Sequence, residues 1–340
     1  MAAHGPVRSP RLSGYTSNPR IRWAEWLPWI AALAFFFTLP EYLALGGRIL
    51  IYILFALSLD LILGYAGIIT LGHSAFFGLG AYTAGILSAK YGFTDPFFQL
   101  AAAAAMAALL GVATGALILR TKALTLLMLT LAITSILYEV ANRASGLTGG
   151  NDGLSGVTVA PILGLFKFDL FGRTAFVYCL IALFLGWLFV RRLIYSPFGA
   201  MLTGIRENTA RMYAVGAPVY WRLVLVYTIS ATMAGVAGAL LTQVNQFVGL
   251  NVLGLEPSGD LLVMLILGGV GRLYGAFVGP VVYLIAQDYL AKQYPEYWYL
   301  GIGALLIVVV LFARGGILGL ADQWLKALSR PKSSARASAR

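Results

Sequence analysis

Long apolar runs separated by short polar breaks fill this chain from Trp23 to Phe312. The runs lack the period-two alternation of barrel strands. At about 1.5 Å per residue, most are long enough to cross a hydrocarbon layer about 30 Å thick as helices. The pattern predicts spans at Trp23–Pro40, Arg48–Gly67, Gly72–Lys90, Pro96–Leu119, Ala123–Ala141, Thr174–Val190 and Leu223–Phe247. Arg120 and Lys122 close the fourth span. The Gly-rich stretch Asn142–Arg173 then separates the fifth from the sixth on the opposite side. A further run from Gly259 to Leu290 is too long for one comfortable span, and Trp298–Phe312 follows it.

Parity decides how that long run is divided. Arg8, Arg11, Arg20 and Arg22 precede the first span, and the stretch from Arg314 to Arg340 is also basic. The Arg/Lys rule puts both tails in the cytoplasm. A break at Gly268-Gly269-Val270-Gly271-Arg272 satisfies this, with Arg272 in a cytoplasmic turn and about ten spans in all. About eight crossings plus a re-entrant hairpin have the same parity, and both arrangements stay open. The chain therefore divides into a basic tail (1–22), a transmembrane body (23–312) and a second basic tail (313–340).

The longest cytoplasmic interruption is Arg191–Arg222. Within it Ser196-Pro197-Phe198-Gly199 signals a turn with Pro just inside a helix start. Apolar Met201, Leu202, Ile205, Met212 and Val215 then alternate with polar Arg206, Glu207, Asn208 and Arg211, and Gly216 and Pro218 follow. This predicts one amphipathic surface helix over Ala200–Ala214, either a plain interfacial element or a docking helix for a soluble partner.

Composition agrees with the pattern: 60% of residues are hydrophobic and 11% charged, and the mean hydropathy is +0.83. This is an all-α polytopic membrane bundle. The net charge of +11 collects in tails and loops as an orientation signal, and nucleic acid is not an expected partner. A lone Cys179 in an apolar run excludes an intramolecular disulfide and reads as core filler.

Of the ionisable residues within or at the ends of spans, three stand out: Asp60, deep in the second, His73 at a span start, and Glu139 near a span end. A carboxylate in a bilayer faces a cavity or a partner, so Asp60 reads either as part of a path or as tied to His73 or a backbone group. No metal-ligand spacing and no nucleophile–base pair stands out, so neither a metal nor catalysis is expected. Small residues four apart form stripes that let helices approach closely: Gly271, Gly275 and Gly279; Ala231, Gly235 and Ala239; Ser74 and Gly78; Ala81 and Gly85. No G-x-x-x-x-G-K-[ST] is present, so any ATP hydrolysis that powers the chain belongs to another subunit.

Several stretches together resemble the permease subunits of ABC importers for branched-chain amino acids and related solutes. They are Leu63-Gly64-Tyr65-Ala66-Gly67 with Leu71 to Tyr82, Leu147 to Leu154, Ser196-Pro197-Phe198-Gly199 through Asn208, and Leu267 to Gly275. They follow the family's order, and the whole is most similar to the second of its two paired permeases. The resemblance implies a type II-like importer permease in the bacterial inner membrane, working by alternating access. Its implied partners are a homologous permease, two ATP-binding subunits and a periplasmic solute-binding protein, with ATP-Mg bound only by the ATPase. It also implies ATPase coupling through Gly204, Arg206, Glu207, Asn208 and Arg211, with Arg206 and Glu207 as rim contacts. Asp60, His73 and Ser74 are candidates for the translocation path. Arg272 departs from the small residue more usual there, and the N-terminal arm is longer than expected. The rival expectation is a stand-alone secondary transporter or channel, for which Asp60, His73 and Glu139 are the available ion-coupling residues.

Overall fold

The computed structural model describes residues 23–121, 123–161, 172–312 and 315–320. The N-terminal basic tail, most of the C-terminal one, Lys122 and part of the Asn142–Arg173 loop lie outside the described residues. Each apolar segment expected to span forms a helix. The first five are α1 (Leu27–Thr38), α2 (Leu43–Asp60), α3 (Ser74–Ala89), α4 (Pro96–Ile118) and α5 (Ala123–Arg143). A single turn, α6 (Ser145–Thr148), precedes α7 (Arg173–Ile194). Two short helices, α8 (Pro197–Glu207) and α9 (Thr209–Ala214), lead into α10 (Val219–Asn245). The long C-terminal run breaks into α11 (Leu255–Gly268) and α12 (Gly275–Gln293), and α13 (Trp298–Phe312) follows. Among the described residues, five helical stretches are long and apolar enough to cross a membrane: Pro40–Tyr65, Pro96–Ile118, Leu124–Arg143, Arg173–Ile194 and Val219–Asn245. Helices Leu27–Thr38, Ser74–Ala89 and Trp298–Val309 are apolar but shorter.

Two expectations are corrected. The surface helix over Ala200–Ala214 is two helices, because Asn208 adopts an extended backbone (φ −156°, ψ 92°) and restarts the chain as an N-cap. Its Oδ1 accepts the Arg211 N–H at 2.9 Å, the bond that makes Asn favourable at such a position. Gly271 is not part of a helical stripe. It sits in the α11–α12 turn at φ +74°, where its lack of Cβ permits the left-handed backbone.

Of the other stripes, Gly235 packs on α4 and α3, while Gly78 and Gly85 face Leu253 and Val248 in the stretch after α10; glycines outside the stripes also set close contacts. A Cβ on Gly80 would overlap the Gly235 carbonyl, and one on Gly238 would overlap the Phe77 carbonyl, so α3 and α10 meet backbone to backbone. A Cβ on Gly268 would overlap the Gly275 carbonyl, and one on Gly279 the Met264 carbonyl, which clamps α11 onto α12. In lipid such close packing replaces the hydrophobic drive that assembles soluble cores. Around these contacts α2 forms the buried axis of the bundle, with Phe55, Leu57, Leu59 and Asp60 all at 1% exposure or less.

Two chain reversals shape the interior. Beyond Asp60 the chain makes a wide π-type turn, Leu61–Tyr65, then folds back so that the Ile68 N–H reaches the Ile62 carbonyl at 2.9 Å. After α10, Val248 pairs with Leu154, and the chain then runs back along α3, with Val248 beside Gly85 and Leu253 beside Gly78. That stretch covers about 10 Å of α3. Helix α11 therefore starts inside the bundle, which is why 14 residues suffice for it. Its far end reaches the same end of the bundle as α8, since Gly271 lies against Arg206.

Candidate functional site

Two polar clusters occupy the bundle where apolar side chains would be the default. The first surrounds His73, at the N-cap position of α3. Ser58 Oγ donates to the Phe55 carbonyl at 2.6 Å and lies 2.8 Å from His73 Nε2. Ser230 of α10 donates to the Ser58 carbonyl, and Phe55 stacks on the imidazole with ring centroids 5.5 Å apart. Next along the chain, the Ser74 N–H donates to Ser258 Oγ at 2.8 Å, and Ser74 Oγ donates to the Gly254 carbonyl at 2.7 Å. The two serine hydroxyls are also 2.8 Å apart. The beginnings of α3 and α11 are thus tied together inside the bundle, a meeting of interrupted helices of the kind that transporters use.

The second cluster lies at the α8 end. Asp60 is 1% exposed, and its Oδ1 accepts the Gly271 N–H at 2.7 Å. Arg206 of α8 reaches inward and donates from Nη1 to the Gly64 carbonyl. Asp60 is therefore tied to a backbone group, not to His73, which the structure holds on Ser58 instead. Among the described residues, Asp60 Oδ2 and His73 Nδ1 are buried without a hydrogen-bond partner.

The proposed coupling residues divide by geometry. Leu202 and Ile205 bury the inner face of α8, while Glu207 and Arg211 are exposed. Gly204 lies against Met212, with 3.0 Å between a would-be Cβ and Sδ, and lets α9 fold onto α8. Asn208 caps α9. Arg206 is exposed as well, but its Nη1 reaches the Gly64 carbonyl at the end of α2. Glu139 pairs with Arg143 at 2.6 Å on the surface, at the end of α5 away from Lys122.

Sequence reasoning left out Ser58, Ser230 and Ser258, and gave Gly64 and Gly67 no role. A hydroxyl in an apolar run is a signal, but Ser and Thr satisfy themselves on their own helix so often that the signal is faint. Gly67 did carry one: at φ +74° it is a position made for glycine.

An all-helical membrane bundle with interrupted helices meeting inside it, and a two-helix platform at one end, is the architecture of a solute permease. Comparison with known proteins agrees. The family model described as the permease component of the branched-chain amino acid transport system matches residues 42–310, and the chain belongs to this family. It is similar to the "High-affinity branched-chain amino acid transport system permease protein LivM" of Escherichia coli (strain K12), with 26% identity over 298 residues, 82% of this chain and 70% of the relative. It is 31% identical over 131 residues to the corresponding LivH protein of the same strain, covering 37% of this chain and 41% of that one. It is also 27% identical over 316 residues to a "Probable branched-chain amino acid transport permease protein LivH" of Methanocaldococcus jannaschii, covering 85% of this chain and 96% of the relative. No solved structure matches the chain. The family is one of transport components, and this chain is a permease and not an enzyme.

Proposed function

We propose that this permease is one of two homologous membrane subunits in an ATP-driven importer of branched-chain amino acids or related small polar solutes. It lies in the bacterial inner membrane with α8, α9 and both termini in the cytoplasm. Two ATP-binding subunits dock on that face and hold ATP-Mg, and a periplasmic solute-binding protein delivers the solute from the other side. The chain forms half of the translocation path, which opens alternately to the two sides.

The observation that carries this reading is the α8–α9 platform between α7 and α10. Its inner face is apolar and buried, and its outer face offers Glu207, Arg211 and the exposed apolar side chains Tyr213 (58%) and Val215 (78%). An apolar ridge with a charged rim is what a soluble partner grips. The names of the LivM and LivH relatives support the paired-permease arrangement and the solute class. The test is to reverse Glu207→Arg and Arg211→Glu singly and measure ATPase co-purification and ATP-dependent uptake. Each reversal is expected to weaken both. Solute uptake by this chain alone in proteoliposomes, driven by an ion gradient and indifferent to ATP, would overturn the proposal.

A further inference from the structure

We infer that Arg206 and Asp60 are positioning residues that form a joint carrying movement of the coupling platform into the α11–α12 hairpin, and that Arg206 is not a contact with the ATPase. This deepens the function proposed above and rests on it.

The joint is built from three elements that sequence order keeps far apart. The aliphatic stem of Arg206 crosses Gly67, where a Cβ would lie 2.7 Å from Arg206 Cγ. Its Nη1 donates to the Gly64 carbonyl and lies 3.1 Å from where a Cβ on Gly271 would stand. A Cβ on Gly64 would overlap Asp60 Oδ1 and stand 2.6 Å from Gly271 Cα. Two glycines, Gly67 and Gly271, thus make room for this one side chain, and both have φ of +74°. The wide turn at Leu61–Tyr65 ends α2 and brings the Gly64 carbonyl to this arginine. Below it, Asp60 fixes the α11–α12 turn through the Gly271 N–H at 2.7 Å. Its remaining oxygen is unpartnered.

The guanidinium therefore donates to the end of α2 and packs on the α11–α12 turn that Asp60 holds. The hairpin beyond that turn is clamped along its length by the Gly268–Gly275 and Gly279–Met264 contacts, so it moves as a unit. About 15 Å up α11 from Gly268 stands Ser258, which ties the start of α3. A pull on α8 reaches that interior tie through Arg206, whereas a partner resting on α9 touches only Glu207, Arg211 and their neighbours. Arg206 is exposed overall, yet its stem packs on Gly67 and its Nη1 end is engaged at Gly64 and Gly271, contacts that a purely rim arginine would not make.

The experiment uses the full importer reconstituted in proteoliposomes. It measures co-purified ATPase, ATP hydrolysis and solute moved per ATP for wild type, Arg206→Gln, Arg206→Lys, Asp60→Asn and the double variant Asp60→Asn/Arg206→Gln. The expected result is that Arg206→Gln keeps its bound ATPase and goes on hydrolysing ATP while solute moved per ATP falls at least tenfold. Lys, which keeps the charge and a donor for Gly64, restores most of the ratio. Asn at position 60 still accepts the Gly271 N–H and lowers the ratio less. The double variant is no worse than Arg206→Gln, because both changes break one joint. Loss of ATPase from Arg206→Gln would make Arg206 a docking contact and overturn the inference. So would a wild-type ratio in that variant, a failure of Lys to restore it, or strictly additive losses in the double variant. ATP-independent uptake appearing in the wild-type arm would instead overturn the function proposed above.

Discussion

A single methyl group at Gly238 tests how this bundle is held together. A Cβ there would overlap the Phe77 carbonyl oxygen, and it would stand 2.8 Å from the Phe77 carbonyl carbon and 3.0 Å from the Ala81 nitrogen. All three are backbone atoms of α3, so no side chain can rotate away. Relief requires α10 to retreat by about 1 Å or more before a normal C···O contact of roughly 3.3 Å is restored. The retreat also opens the contact one turn earlier, where Gly80 faces the Gly235 carbonyl. Overpacking of this kind costs about 1–3 kcal/mol, and here both strands of the contact are rigid, which favours the upper end. Ala gains about 1 kcal/mol over Gly in helix propensity, leaving a net loss of about 2 kcal/mol for Gly238→Ala. Gly47 of α2 is the control, because a Cβ there meets nothing within 4 Å. Gly47→Ala makes the same chemical change without the clash and is expected to be neutral or stabilising by up to about 1 kcal/mol. Unfolding of the purified variants in one detergent, followed by tryptophan fluorescence, compares the two directly. Equal shifts in the two variants, or a Gly238→Ala protein as stable as wild type, would refute the view that backbone contact between α3 and α10 sets their spacing.

Two further outcomes follow from the polar contacts. Ser258→Ala removes the acceptor of the buried Ser74 N–H, and an orphaned buried donor costs about 1–3 kcal/mol; the same unfolding assay should show a loss in that range, and an unchanged midpoint would mean that the tie between α3 and α11 is not made in the working protein. Glu139→Ala breaks an i,i+4 pair whose side chains are 49% and 82% exposed, so no measurable change in stability is expected; loss of uptake in a folded variant would show that Glu139 does more than pair with Arg143.

How much could be read in advance depends on the range of the interaction involved. The spans were visible because an apolar run of sufficient length has one low-energy fate in a bilayer, and the backbone satisfies itself within each helix. The break at Gly268–Arg272 was visible from charge parity, and the helix start at Pro197 from local backbone preference. Asn208 shows where local reading stopped short. It was counted among the polar residues of one helix, yet its side chain captures a nearby N–H and ends that helix. The small-residue stripes told which faces pack, but not that Gly268 meets Gly275 while Gly80 meets Gly235. Stripe compatibility is shared by many pairs of helices.

Asp60 marks the boundary most clearly. Its place deep in an apolar span is enough to show that this carboxylate needs a partner, because charge in hydrocarbon is costly. That the partner is the Gly271 N–H, more than two hundred residues away, and that Arg206 packs over the same glycines, emerges only from the folded chain. The need for a partner is a one-body property, set by the solvent around each segment. The choice of partner is settled when loop reversals and glycine contacts bring distant backbones within a hydrogen bond of one another.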